Sequence, residues 1–160
     1  MYEIKNKEFI KAYDAICYRH DRLKVFSDFV KMCAISIYNT FAKNQTMEQE
    51  YLRTIKSYSK EEQNLFPKMF GELIMMYEEC KEITDILGPI YMNTKSKDKH
   101  LGQVFTPSHV SDMMAEMTIE DKNAFKKEIE ENGFVAMADP TCGAGRYVII
   151  ICESIAKERY

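Results

Sequence analysis

The stretch "FVAMADPTCGAGRYVIIICE", residues 134 to 153, decides how the second half of this chain is read. Five apolar residues, Phe134 to Ala138, lead into Asp139-Pro140-Thr141-Cys142-Gly143-Ala144-Gly145-Arg146. The apolar run is too short for a helix and is bounded by turn signals, so it reads as a buried strand. Two glycines separated by one residue let the backbone come close to a ligand, and a helix after them presents N–H groups that lack helical acceptors. Asp139 argues against a phosphate ligand, because like charges repel. It suits a ligand that carries hydroxyls or a cationic group. A glycine pair taken alone fits an ordinary turn equally well. Beyond the loop, Val148-Ile149-Ile150-Ile151 is a β-branched run that favours a strand over an isolated helix.

Working outward, the 160 residues suffice for one full domain, or for one domain and part of another. Hydrophobic residues make up 46% and charged residues 29%, which places the chain among soluble globular proteins. With a net charge of -3, no global basic field draws it onto DNA or anionic membrane. The five cysteines, Cys17, Cys33, Cys80, Cys142 and Cys152, form no C-x-x-C pair, so neither a metal site nor a disulfide framework is expected. The N-terminal "MYEIKNKEFIKAYD" lacks the apolar core of a signal peptide, and no run approaches the roughly 18 apolar residues of a membrane span. A reducing cytoplasm is the expected compartment, with no membrane partner.

Residues 1–92 read as a helical domain. "EFIKAYDAICYRH" (8–20) spaces Phe9, Tyr13, Ile16 and Cys17 along one helix face. "VFSDFVKMCAISIYNTFAK" (25–43) puts Phe26, Phe29, Val30, Cys33, Ile37, Tyr38 and Phe41 on one broad stripe, predicting a long helix with a wide buried face. "MEQEYLRTIKSY" (47–58) is anchored by Tyr51, Leu52 and Ile55. Ser59 and Glu62 have capping-box spacing ahead of "NLFPKMFGELIMMYEEC" (64–80), a helix that Pro67 is expected to kink or restart. Gly88-Pro89 is expected to break the following segment. His20 and Asp21, within "YRHDRLK", read as a solvated helix end.

From Asn93 the composition turns polar and lysine-rich, and 93–106 reads as an exposed connection. Its "KSKDKH" (95–100) reads as a solvated loop in preference to a phosphate contact. Thr106 can cap and Pro107 can open the helix that follows, and His109 has no metal-spaced companion. A further helix is expected over 119–133, closed by Gly133.

"DPTCGAGR" (139–146) resembles the motif D-P-x-C-G-[SA]-G of adenine-N6 DNA methyltransferases, the class that includes type I restriction–modification M subunits. "LGQVFTP" (101–107) resembles the G-Q-[FY]-F-T-P motif that precedes it in the same family. Two such motifs in the right order, about thirty residues apart, are far more specific than either alone. The helical first part looks similar to the N-terminal part of short phage-type adenine methylases, a looser resemblance. Val104 departs from the aromatic that is common at its place, and Arg146 from a small or apolar residue.

The resemblance implies a mainly α chain: an N-terminal helical bundle, then the beginning of a Rossmann-like methyltransferase α/β domain (one strand, a glycine loop and a helix), truncated, over 107–160. It implies S-adenosyl-L-methionine as cofactor. Gln103, Phe105, Thr106 and Pro107 would line its pocket, while Asp139, Pro140, Cys142, Gly143 and Gly145 would curl under its methionine part. By the same likeness "YVIIICESIAKERY" (147–160) is the helix after the loop; a hairpin with 134–138 is the less favoured alternative.

Methyl transfer to adenine also requires the target base to leave the duplex and lie against an aromatic face. The family does this with an [ND]-P-P-[FY] loop. No such tetrapeptide occurs here: Pro67, Pro89, Pro107 and Pro140 are the four prolines, and none adjoins another. No catalytic residue is therefore assigned, and the 160 residues are expected to be inactive alone. DNA is the partner of the full enzyme. The apolar helix over 147–152 is expected to need a second polypeptide, self-association or the N-terminal bundle against it. The alternative is a non-enzymatic, methylase-derived binding protein, encoded by a mobile element as an inhibitor or decoy of a host restriction or defence complex.

Overall fold

The structure is a computed structural model that describes residues 6–80, 85–95, 108–118, 122–140, 142 and 145–157. Eight α-helices and no strand occur among the described residues: α1 (Lys7–Cys17), α2 (Arg22–Ala42), α3 (Gln45–Ile55), α4 (Lys60–Glu78), α5 (Leu87–Lys95), α6 (Ser108–Thr118), α7 (Lys122–Asn132) and α8 (Arg146–Lys157). None of these helices is long and apolar enough to cross a membrane.

Each early helix starts where a short polar side chain satisfies its free N–H groups. Asn6 accepts from the Phe9 N–H, Asp21 from that of Lys24, and Asn44 from those of Thr46 and Met47. At α4 the capping box forms as the sequence predicts: the Ser59 hydroxyl accepts from the Glu62 N–H, and the Glu62 carboxylate accepts from the Ser59 N–H at 2.8 Å. Helix α2 ends at Lys43, a non-glycine residue in the left-handed region (φ 43°), and Asn39 accepts from the Asn44 N–H to fix the corner into α3.

Helices α1, α2, α4 and α5 share one core. Phe9, Tyr13, Ile16, Val25, Phe29, Met32, Phe66, Met69, Leu73 and Met76 are buried together with Ile86 and Ile90. The Phe9 and Phe29 rings meet edge to face at 5.6 Å. Ile16, Val25, Met69 and Ile86 have no exposed surface. Helix α5 docks on α2 through Phe26 and Tyr91, whose ring centroids lie 5.5 Å apart.

Four expectations need correction here. Pro67 neither kinks α4 into two helices nor restarts it. The helix runs unbroken from Lys60 to Glu78, with Pro67 on its exposed side. Gly88-Pro89 does not break a helix; it forms the first turn of α5, where a missing N–H costs nothing, and the Asp85 carboxylate accepts from the Gly88 N–H at 2.7 Å. His20 is not a solvated helix end. Its ring lies against Tyr58 (4.7 Å between centroids), and Nε2 bonds the buried Glu62 carboxylate at 3.2 Å. The broad stripe of α2 is only partly buried: Val25, Phe29, Met32 and Ile35 face the core, while Ile37, Tyr38 and Phe41 are exposed. The true core face is rotated toward the Asp28 side, so a stripe drawn through the aromatics alone overstates what the bundle covers.

Asp28 is a buried carboxylate in this bundle. It accepts from the Tyr58 hydroxyl at 2.7 Å and from Lys24 Nζ at 2.6 Å. Burial works to raise its pKa, but these hydrogen bonds and the Lys24 and Lys31 charges outweigh it and hold the carboxyl below its ordinary value. Tyr58 goes the other way, pushed up by burial and by the adjoining Asp28 carboxylate.

Candidate functional site

The glycine loop lies between α7 and α8. Gly133 ends α7 in the left-handed region (φ 79°), with its N–H bonded to the Ile129 carbonyl at 2.9 Å, so this helix closes where the sequence places its stop. The segment 134–138 then departs from expectation. It forms no strand; Phe134 is 66% exposed and Met137 39%. A strand is held by the N–H and C=O groups of a neighbour, and the described residues provide none. The α/β beginning expected here is therefore not formed in the described residues, and the chain is mainly helical.

After it comes the turn. Asp139 is half-buried, Pro140 and Cys142 are exposed, and the Gly145 N–H bonds the Cys142 carbonyl at 2.7 Å. Gly145 sits at φ 74°, where a side chain is strained. Nothing lies within 4 Å of where its Cβ would stand, so backbone conformation, and not crowding, requires glycine. Helix α8 starts at once: the Ile149 N–H bonds the Gly145 carbonyl at 3.0 Å. The N–H groups of its first turn thus point back toward the loop without helical acceptors. "YVIIICE" is helical, which resolves its β-branched ambiguity in favour of the helix.

Helix α8 finds a neighbour within the chain. Ile151 (1% exposed) packs with Ala115 of α6 (1%), flanked by Tyr147 and Ile150. The Tyr147 hydroxyl donates to Thr118 Oγ1 at 2.6 Å. Neither Tyr147 nor Thr118 stands out in the sequence; a tyrosine directly after a glycine loop is the only signal there was. Ser111 is also buried on α6.

Of the residues assigned to the cofactor, Asp139, Pro140, Cys142 and Gly145 are brought into one turn at the N-terminus of α8. Gly143 lies outside the described residues, as do Gln103, Phe105, Thr106 and Pro107. The helix that Thr106-Pro107 are expected to open is present, beginning at Ser108. Its far end, Thr118, is the part that meets α8 beside the glycine loop. Ser108 is thus about 15 Å along the helix from that contact.

Residues 82–159 match the family model of the N-6 DNA methylases. The match supports the adenine-N6 DNA methyltransferase family for this part of the chain. No curated protein and no solved structure matches the chain. The matched segment includes Ile86 and, in α5, Ile90, both buried in the N-terminal core, so the family segment and the bundle overlap.

Proposed function

We propose that the chain is the N-terminal, S-adenosyl-L-methionine-binding portion of an adenine-N6 DNA methyltransferase, acting in the cytoplasm. The observation that supports this most is the left-handed Gly145 turn at the start of α8, inside the segment matched to the family. The turn suits a bulky, cationic ligand. Open space over Gly145 lets backbone approach it, the first turn of α8 supplies N–H donors, and the Asp139 carboxylate supplies a negative charge. Pro140 and Cys142 fix and line the turn. Gln103, Phe105, Thr106, Pro107 and Gly143 would complete the pocket from the upstream motif and the loop centre. When bound, the cofactor would supply an electrophilic methyl group on sulfonium.

Residues to accept that methyl are another matter. No [ND]-P-P-[FY] tetrapeptide occurs in the 160 residues, so nothing holds a flipped adenine. The chain binds cofactor and relies on further polypeptide for the Rossmann-like sheet, for the base pocket and for contact with DNA. Restriction–modification is the expected setting.

Titration calorimetry with S-adenosyl-L-methionine tests the cofactor reading: heat from the wild-type chain and about a tenfold weaker affinity for Gly145→Ala are expected, and no heat at millimolar ligand overturns it. Methylation of adenine in DNA by the chain alone would refute the claim of inactivity. Capture of a host restriction or defence subunit without any cofactor heat would move the assignment to the decoy alternative.

A further inference from the structure

We propose that the C-terminal half of α2 is the interface of a homodimer, in which two copies lay this helix antiparallel against itself. From Met32 to Ala42 the helix carries no charged residue, over three turns. On the outer side of those turns stand Ala34, Ile37, Tyr38 and Phe41, at the i, i+3, i+4, i+7 spacing of one helix face. All four are exposed: Ile37 is 53% open, Tyr38 46% and Phe41 85%. A helix face exposed to water ordinarily carries lysine and glutamate. This one instead has the composition of an interface centre, depleted in charge and holding aromatics.

Two features select a second copy of the chain as the occupant. The first is shape. In an antiparallel pairing centred between Ile37 and Tyr38, the protruding Phe41 of one copy falls over Ala34 of the other. Ile37 meets Tyr38, and the pattern repeats by symmetry. Large faces small at both ends, which is the self-complementarity a two-fold contact requires. The second is area. The exposed parts of Ile37, Tyr38 and Phe41 amount to roughly 400 Å². Two copies together with their flanks then bury on the order of 1,000 Å², enough for a reversible dimer at micromolar concentration. The interface belongs to the N-terminal bundle and does not depend on the methyltransferase reading.

Sedimentation velocity on the full chain from about 1 to about 300 µM tests this. The wild type is expected to pass from the 18.8 kDa monomer to twice that mass. Phe41→Glu is expected to stay monomeric throughout, and to melt as the wild type does at about 1 µM, where both are monomers and the side chain is exposed; Ile37→Lys gives a second, independent loss. Mixing Phe41→Glu with Ala34→Lys in equal amounts is expected to restore association, since the new charges then face each other. Tyr18→Glu, at an exposed position on the α1–α2 corner, is expected to dimerise as the wild type does. A wild type that is monomeric at every concentration overturns the proposal. So does a Phe41→Glu chain that still dimerises, a mixture that fails to associate, or dimerisation abolished by Phe134→Glu instead.

Discussion

At the scale of single residues, the N-terminal bundle depends on two buried carboxylates whose surroundings favour the charged form. Glu62 is held below its ordinary value of 4.5 by the hydrogen bond from the Ser59 backbone, with burial opposing and His20 adding to the effect. Asp28 is lowered as well, by Lys24 and Tyr58 against the opposing pull of burial. A carboxyl lowered by folding contributes stability above its unfolded pKa and loses it as pH falls through the folded one. The melting temperature is therefore expected to drop below about pH 4.5, and Glu62→Gln, which keeps an acceptor for the cap, should flatten that drop. An unchanged acid limb in this variant would show that Glu62 does not carry the dependence. Tyr58→Phe removes one of two hydrogen bonds to a buried carboxylate and is expected to cost about 1–3 kcal/mol in urea unfolding. Half of this network was legible in the sequence: Ser59 and Glu62 are three apart and announce themselves. Asp28 and Tyr58 are thirty residues apart, and only the fold, which sets the turn between α3 and α4 beside α2, joins them.

Among the elements, α4 carries a residue that local rules place badly. Pro67 has no N–H to give the Gln63 carbonyl, and its ring crowds that turn, yet the helix continues because Phe66, Met69, Leu73 and Met76 bury one face of it. Tertiary packing outweighs the local penalty, which is why the expected break did not appear. Pro67→Ala, on the exposed side, is expected to raise stability by about 1–3 kcal/mol, read as a higher urea midpoint with unchanged slope. The greater flexibility this gives the unfolded chain offsets part of the gain. A lower midpoint would mean that Pro67 sets a bend the bundle needs. The helices themselves were legible from spacing and caps, as were the stops at Gly133 and the box at Ser59. The strand at 134–138 was not, because a strand is a property of two segments. Five apolar residues promise a strand only if another chain segment pairs with them. At the glycine loop the structure shows Asp139, Pro140, Cys142 and Gly145 in one turn before α8, while assembly with the upstream motif depends on contacts that spacing does not encode.

Taken as a whole, the described residues form two hydrophobic clusters of very different size. Among them the bundle core has fourteen buried residues, whereas the α6–α8 cluster has two, Ala115 and Ile151, with Tyr147 and Ile150 half-buried beside them. Opening free energy follows buried apolar contact, so the segment carrying the glycine loop belongs to the weakly held part of the chain. Ile151→Ala deletes the larger member of the small cluster, a change that costs about 2–4 kcal/mol at a buried site. So small a cluster cannot absorb that loss. Hydrogen exchange is expected to show the amides of α6 and α8 losing protection in this variant, while those of α1, α2 and α4 keep theirs. The reverse substitution is equally informative: Phe29→Ala in the large core is expected to lower protection across α1, α2 and α4 together. If Ile151→Ala instead weakened all these helices equally, the two clusters would be one cooperative unit, and the glycine loop would be as firmly held as the bundle. If the effect stays local, the loop is held independently of the bundle core, and any ligand that bridges Asp139 and the start of α8 will raise the protection of α6 and α8 when it binds.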